Sequence, residues 1–116
     1  MKLLALALLA AVAGTQAPDL GHGEAIYTDR CQSCHGSHGD GQAATLVGVV
    51  GRPAASLSGF SYSRALSTSG LTWTPEVLDR FLTDPMGMVP GTAMPAAVPD
   101  AKDRADLIVY LAERPR

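Results

Sequence analysis

The pentapeptide CQSCH, Cys31 to His35, contains both cysteines of this 116-residue chain and places a histidine directly behind the second. Two cysteines at this spacing can form a disulfide, hold a structural zinc ion, act as a redox pair or anchor a covalent cofactor. These four uses make different demands on the surrounding sequence, which therefore distinguishes them.

Three of the four uses find little support. A structural zinc site normally needs four Cys or His ligands, and only His22, His35 and His38 are present besides the two cysteines. A thioredoxin-like pair starts a helix in a βαβ unit, whereas here a predicted helix precedes the motif. A Cys31–Cys34 disulfide would close a very small loop and stabilise the chain little.

The fourth use is covalent attachment of a c-type haem, for which C-x-x-C-H is the signature. Two thiols at this spacing can add to the two vinyl groups on one porphyrin edge. The adjacent His35 then lies beneath the iron as an axial ligand. The motif therefore predicts one covalent haem c, anchored by Cys31 and Cys34.

The amino-terminal stretch MKLLALALLAAVAGTQA has the layout of a secretory signal peptide, with one Lys, a short apolar run and small residues. We expect residues 1–13 to be this peptide, cleaved after Ala13. Cleavage after Ala17 is the second choice because Pro18 would follow the cut. A periplasmic or otherwise exported protein is expected, and an uncleaved amino terminus that tethers it to a membrane is the alternative.

Residues 14–20 would then be an amino-terminal extension and residues 21–116 one domain. The chain's twelve glycines and eight prolines add loop more than core, so a cofactor would help to fill the interior. Without Lys2 there are eight Lys and Arg against eleven Asp and Glu, a net charge of −3. Nothing forms the basic patch that nucleic acid binding requires.

Periodicity and capping residues predict an all-α domain with about three main helices joined by loops. The first spans Gly21–Cys34. The second opens with Thr74 as N-cap and Pro75 at its first position, and Asp84-Pro85 ends it. The third runs from Asp100 to Pro115. One helical turn is expected in FSYSRALSTSG, residues 60–70, and a loop in MGMVPGTAMPAAVP, residues 86–99. TLVGVVG, residues 45–51, is a weak strand candidate because of its glycines.

The second axial ligand decides what the haem does. An open iron suits ligand binding or peroxidase chemistry, whereas Met/His ligation suits electron transfer. The candidates are two histidines and three methionines: His22, His38, Met86, Met88 and Met94. Met94 is favoured because prolines and a glycine stiffen the loop around it. His22 reads as a solvated residue, His38 lies too close to His35, and the other methionines read as loop or core.

These residues resemble the class I c-type cytochromes, particularly the mitochondrial type and its soluble bacterial relatives. The resemblance runs from Gly23 to Leu111 and is carried by CQSCH, GFSYS, GLTW, FLTDP, PGTAM and RADLIVYL, of which the last two are the most specific. It implies the small cytochrome c fold around one haem, with His35 and Met94 as iron ligands. The implied function is a single-electron carrier between exported redox partners, not an enzyme. The alternatives are a dedicated or tethered haem partner of one periplasmic oxidoreductase and a peroxidase-like protein.

The resemblance also implies two further arrangements of side chains. A buried haem propionate needs hydrogen-bond donors, and four residues match the family positions around it: Arg52, Tyr62, Trp73 and Thr92. Gly23 and Tyr27 on the first helix should pack against the last helix at Leu107 and Tyr110.

The chain departs from the mitochondrial type in its haem surroundings. The loop between His35 and Arg52 is three residues shorter, and Ala44 stands where a proline carbonyl accepts from the axial histidine. Phe81 replaces a tyrosine and Leu66 a polar amide, which predicts a drier pocket and a high reduction potential.

The surface departs as well. Arg30 keeps one position of the lysine ring that surrounds the haem edge in the mitochondrial type, but Met86 and Ala93 replace lysines. We therefore expect partners to dock at the exposed haem edge through a mostly apolar face.

Overall fold

The structure is a computed structural model that describes residues 17–37 and 41–114. The signal peptide expected at residues 1–13, His38 and Pro115 lie outside these ranges. The described chain forms six helices: α1 (Leu20–Arg30), α2 (Gln32–His35), α3 (Arg64–Ser67), α4 (Pro75–Thr83), α5 (Pro85–Met88) and α6 (Ala101–Glu113). The expected all-α class is confirmed, with α1, α4 and α6 as the long helices. In the described ranges no helix is long and apolar enough to cross a membrane.

Helices α1 and α6 meet at Gly23. A Cβ at this position would lie 2.1 Å from the backbone oxygen of Asp106 and 2.8 Å from Cβ of Tyr110, so only glycine fits. One turn later the buried Tyr27 packs against Tyr110, with ring centroids 5.6 Å apart. The expected packing of α1 on α6 is therefore confirmed, and Leu107 beside it is fully buried.

The start of this helix pair is held by Asp106, whose side chain has no exposed surface. Its carboxylate accepts from the backbone N–H of Asp19 at 2.9 Å, from Nδ1 of His22 at 2.6 Å and from Nζ of Lys102 at 2.6 Å. Burial acts to raise the pKa of Asp106, but these hydrogen bonds outweigh it and lower the pKa to about 2. The same bond to Asp106 raises the pKa of His22.

His22 is exposed, as the sequence interpretation of a solvated residue expected, but its pairing was not foreseen. Its ring is partly exposed, but it is paired with Asp106, and Nε2 lies 3.5 Å from Oδ1 of Asp103. The pairing joins two segments separated by 84 residues in sequence, which local patterns cannot show.

Helix α4 begins and ends as predicted. The side chain of Thr74 accepts from the backbone N–H of Val77 at 3.2 Å, and Pro75 occupies the first turn. After Thr83 the chain turns extended at Asp84, whose carboxylate then caps α5 by accepting from Gly87. The loop predicted from Met86 onward therefore starts later, because this cap allows one helical turn over Pro85–Met88.

Two further boundaries differ from the prediction. The first helix is shorter than Gly21–Cys34, since α1 ends at Arg30 and the CQSCH motif forms the separate turn α2. Residues 45–51 form turns and not a strand, because Gly48 and Gly51 adopt positive φ angles of 73° and 86°. The expected helical turn in residues 60–70 is present as α3.

Candidate haem-binding site

The CQSCH motif forms a single helical turn in which the backbone N–H of His35 donates to the carbonyl of Cys31 at 2.9 Å. The two cysteines form no disulfide with each other; Cys31 is buried and Cys34 is exposed. Burial raises the pKa of the Cys31 thiol to about 11, so the group is neutral near neutral pH. A redox nucleophile needs a thiolate, and the buried environment of Cys31 disfavours that form.

His35 is held in one orientation by the chain that follows the motif. Its Nδ1 lies 2.6 Å from the carbonyl oxygen of Ala44. Because a carbonyl can only accept, Nδ1 carries the proton and Nε2 keeps its lone pair. Metal-binding histidines are commonly oriented in this way. The expectation that Ala44 supplies the accepting carbonyl is confirmed.

Several apolar side chains at the edge of the core are incompletely covered, which fits a large flat ligand. Six of them pack against the core yet stay only half-buried, and they come in pairs from three separate segments of the chain: Leu46, Val50, Leu66, Leu71, Met88 and Met94. A planar apolar macrocycle would cover such surfaces and supply buried area that a small domain lacks. The residues present therefore fit a haem.

Arg52 and Trp73 are joined through their backbones, since the N–H of Trp73 donates to the carbonyl of Arg52 at 2.9 Å. The guanidinium of Arg52 donates to the carbonyls of Val47 and Thr45, at 3.0 Å each. These two bonds fix the side chain and use two of its five N–H groups. Trp73 is buried against Phe81, with ring centroids 4.9 Å apart.

Tyr62 and Thr92 lie on other loops. The half-buried ring of Tyr62 packs edge-on against Phe60 at 4.8 Å between centroids. The hydroxyl of Thr92 accepts from the backbone N–H of Met94 at 3.4 Å. Thr92 is therefore a neighbour of the candidate sulfur ligand as well as a candidate for the propionate environment.

Two arginines of the site region were missed by the sequence reasoning. Arg104 and Arg114 are buried and bond backbone carbonyls of the loops near the candidate ligands. Arg104 lies within RADLIVYL, which could have singled it out. Arg114 lies in no motif, and only the structure shows its contacts.

The comparisons agree with this geometry. The sequence profile of the cytochrome c family matches residues 21–114. Cytochrome c of Tetrahymena pyriformis is 44% identical over 95 residues, covering 80% of this chain and 86% of that one. Cytochrome c2 of Blastochloris viridis is 39% identical over 109 residues, with 90% and 84% covered. Cytochrome cH from Methylobacterium extorquens superposes with a TM-score of 0.75 at 40% identity, covering 80% of this chain and 96% of that one.

The fold and the motif define a class I c-type cytochrome. The chain belongs to the cytochrome c family. Its cofactor is one covalent haem c, and it is an electron carrier that serves redox partners, not an enzyme.

Proposed function

We propose that this cytochrome shuttles single electrons with His35 and Met94 as the axial ligands of a haem anchored by Cys31 and Cys34. The observation that carries the proposal is the contact of His35 Nδ1 with the Ala44 carbonyl, which leaves Nε2 free to bind iron. The haem supplies the reversible Fe(III)/Fe(II) couple. The protein orients the ligands, excludes water and leaves part of the site accessible to partners.

Met94 is supported by its surroundings. It is half-buried against the core in a loop whose backbone is fixed by the Thr92 hydroxyl. Met86 is 56% exposed at the surface of α5. Met88 is half-buried like Met94, but it lies in a helical turn instead of the stiff PGTAM loop.

The test compares visible and magnetic spectra of the purified oxidised and reduced protein with those of Met94→Ala. The variant should lose the methionine-to-iron signature and lower the reduction potential, since Met/His ligation raises it. Met88→Ala is the matched control, because it removes another half-buried methionine. A wild-type spectrum in Met94→Ala, or loss of the signature in Met88→Ala, would contradict the assignment. His35→Ala should bind haem without a histidine ligand or fail to mature.

We further propose that Arg52, Tyr62, Trp73 and Thr92 surround a haem propionate. Arg52 supports this best, because two carbonyl bonds hold its guanidinium while other N–H groups stay available. Arg52→Lys keeps the charge but loses the planar fork. The expected result is a reduction potential that depends more strongly on pH than in the wild type, as a less well paired propionate titrates. An unchanged dependence would argue against the role.

Docking is proposed to occur through a mostly apolar face at the haem edge. The exposed Met86 lies on α5, in the segment that leads to Met94, and would form part of this face. Arg30, the remaining basic residue there, donates to the carbonyl of Ala97 at 3.5 Å and lies 3.9 Å from Asp29. Its charge is thus partly balanced, and long-range steering should be weak. The signal-peptide pattern supports export of the domain, whose fold includes Asp19 and Leu20 at the start of α1.

A further inference from the structure

Two buried arginines at opposite ends of α6 bond backbone carbonyls of other segments. Arg104 donates to the carbonyls of Val98 and Pro99, at 3.1 and 2.7 Å, in the loop that follows the proposed sulfur ligand in sequence. Arg114 donates through Nη2 to the carbonyl of Ser37, two residues after the proposed histidine ligand in sequence. Both side chains are about nine-tenths buried. Helix α6 therefore contacts both ligand-bearing regions of the chain.

The charge of Arg114 is held in an unusual way. Arg104 has a carboxylate partner, Asp79, at 2.8 Å, whereas no carboxylate of the described residues forms an ion pair with Arg114. Its guanidinium carbon lies 4.5 Å from the ring centroid of Tyr27 and 5.7 Å from that of Tyr110, so the rings supply cation–π contacts. Within the described chain, its buried Nη1 has no hydrogen-bond partner.

A packing role alone does not account for this side chain. Burying a charge without full pairing is costly, and an apolar residue of similar volume often stabilises a protein as well or better. The bond that Arg114 makes with Ser37 is therefore the informative contact. The hydroxyl of Tyr27, the residue on which Arg114 stacks, donates to the carbonyl of Gly36. Together they bind the first two carbonyls after His35.

We propose that Arg114 is a positioning residue for the haem-binding histidine, acting with Tyr27 through the carbonyls of Gly36 and Ser37. This inference rests on the proposed function, because it requires His35 to be an iron ligand. The Nδ1–H of His35 donates to the carbonyl of Ala44, which follows Gly36 and Ser37 in sequence. Holding the backbone of Gly36 and Ser37 in place therefore helps to keep the His35 ring positioned for that hydrogen bond.

The chain offers matched variants. Arg114→Met keeps the volume over Tyr27 but removes the charge and the donors. Arg114→Lys keeps the charge and a donor but not the planar fork. Arg80→Met makes the same change at an exposed arginine of α4. All are compared as oxidised and reduced holoproteins.

The main readout is NMR of His35, namely solvent exchange of its Nδ1–H and the hyperfine-shifted ring signals of the oxidised protein. We expect faster exchange and displaced ring signals in Arg114→Met, because groups that orient a metal ligand affect its geometry and this variant removes the bond to the Ser37 carbonyl. Arg114→Lys should recover part of the effect, and Arg80→Met should match the wild type.

Two results distinguish a failure of the proposed function from a failure of the positioning role alone. If the wild-type haem lacks a histidine ligand, the proposed function fails and this inference fails with it. If histidine ligation holds but His35 in Arg114→Met matches His35 in Arg80→Met, only the positioning role is overturned, even when global stability falls. Should Arg114→Met fail to fold, Tyr27→Phe tests the other contact, that of the Tyr27 hydroxyl with the Gly36 carbonyl. It should shift the His35 signals in the same direction, and unchanged signals would again overturn the role.

Discussion

Replacing Gly23 with alanine should be one of the most damaging single-methyl changes in this protein. The added Cβ would lie 2.1 Å from the oxygen and 2.7 Å from the carbon of the Asp106 carbonyl. Backbone atoms cannot rotate away, so α1 and α6 must separate. Tyr27 and the side chain of Asp106 would both lose contacts when the helices move apart.

The magnitude follows from two opposing effects. Overpacking a well-filled contact costs typically about 1–3 kcal/mol, and a contact with backbone belongs at the upper end. Alanine gains about 1 kcal/mol over glycine in helix propensity. The net loss should be about 2 kcal/mol, which for a domain of this size lowers the midpoint of thermal unfolding by about 10 °C.

The assay is thermal and urea unfolding of the holoprotein, followed by circular dichroism. Gly21→Ala is the control, because it makes the same change two residues earlier on the same helix. There the nearest atom to the new Cβ is Oδ1 of Asp19 at 3.5 Å, an ordinary contact, so stability should not fall. If Gly23→Ala proves as stable as Gly21→Ala, the close approach of α1 and α6 is refuted.

Four other predictions follow from particular side chains. The pKa of His22 is raised above 6.5, so its full contribution to stability is present below pH 6.5 and is lost as the pH rises through the raised pKa. The pKa of Asp106 is lowered from 3.8 to about 2, so its contribution to stability is lost as the pH falls from 3.8 towards 2. Urea midpoints across pH should therefore fall on the alkaline side in the wild type but not in His22→Gln. Thr74→Ala should lose about 1 kcal/mol of unfolding free energy with the N-cap, whereas Thr83→Ala, an exposed hydroxyl, should lose almost none. Phe81→Tyr should shift the reduction potential downward by adding a polar group to a dry region, and an unchanged redox titration would contradict that reasoning. Electron-transfer rates with a purified redox partner should vary little with ionic strength, and a steep fall with salt would contradict the apolar docking face.

The sequence predicts local features of the fold well where a single residue determines the local structure, as a helix cap does. Thr74 and Pro75 mark the start of α4, and Asp100 caps α6 as expected. The resemblance points to the backbone carbonyl of Ala44, and the structure places it against His35. Each of these depends on short-range capping or on a motif with a fixed geometry.

Long-range polar contacts could not be predicted in the same way. Asp106 looks like an ordinary acidic residue near a helix start, yet it is fully buried because partners from α1 reach it. The contact of Arg114 with Ser37 spans 77 residues, and no periodicity encodes it. The first helix was predicted too long because its apolar pattern continues through Cys31, where the chain instead begins a second turn.

The pairing of α1 with α6 also sets an order of assembly. Hydrogen bonds such as that from Asp19 to Asp106 close a loop of 87 residues, and such closures come late because their entropic cost precedes any contact energy. While the chain is being made, α1 has no long-range partner until α6 is complete. The two thiols of CQSCH, near the start of the domain, are thus accessible throughout that interval. Covalent attachment can precede folding, and the fold then closes over a cofactor that is already in place.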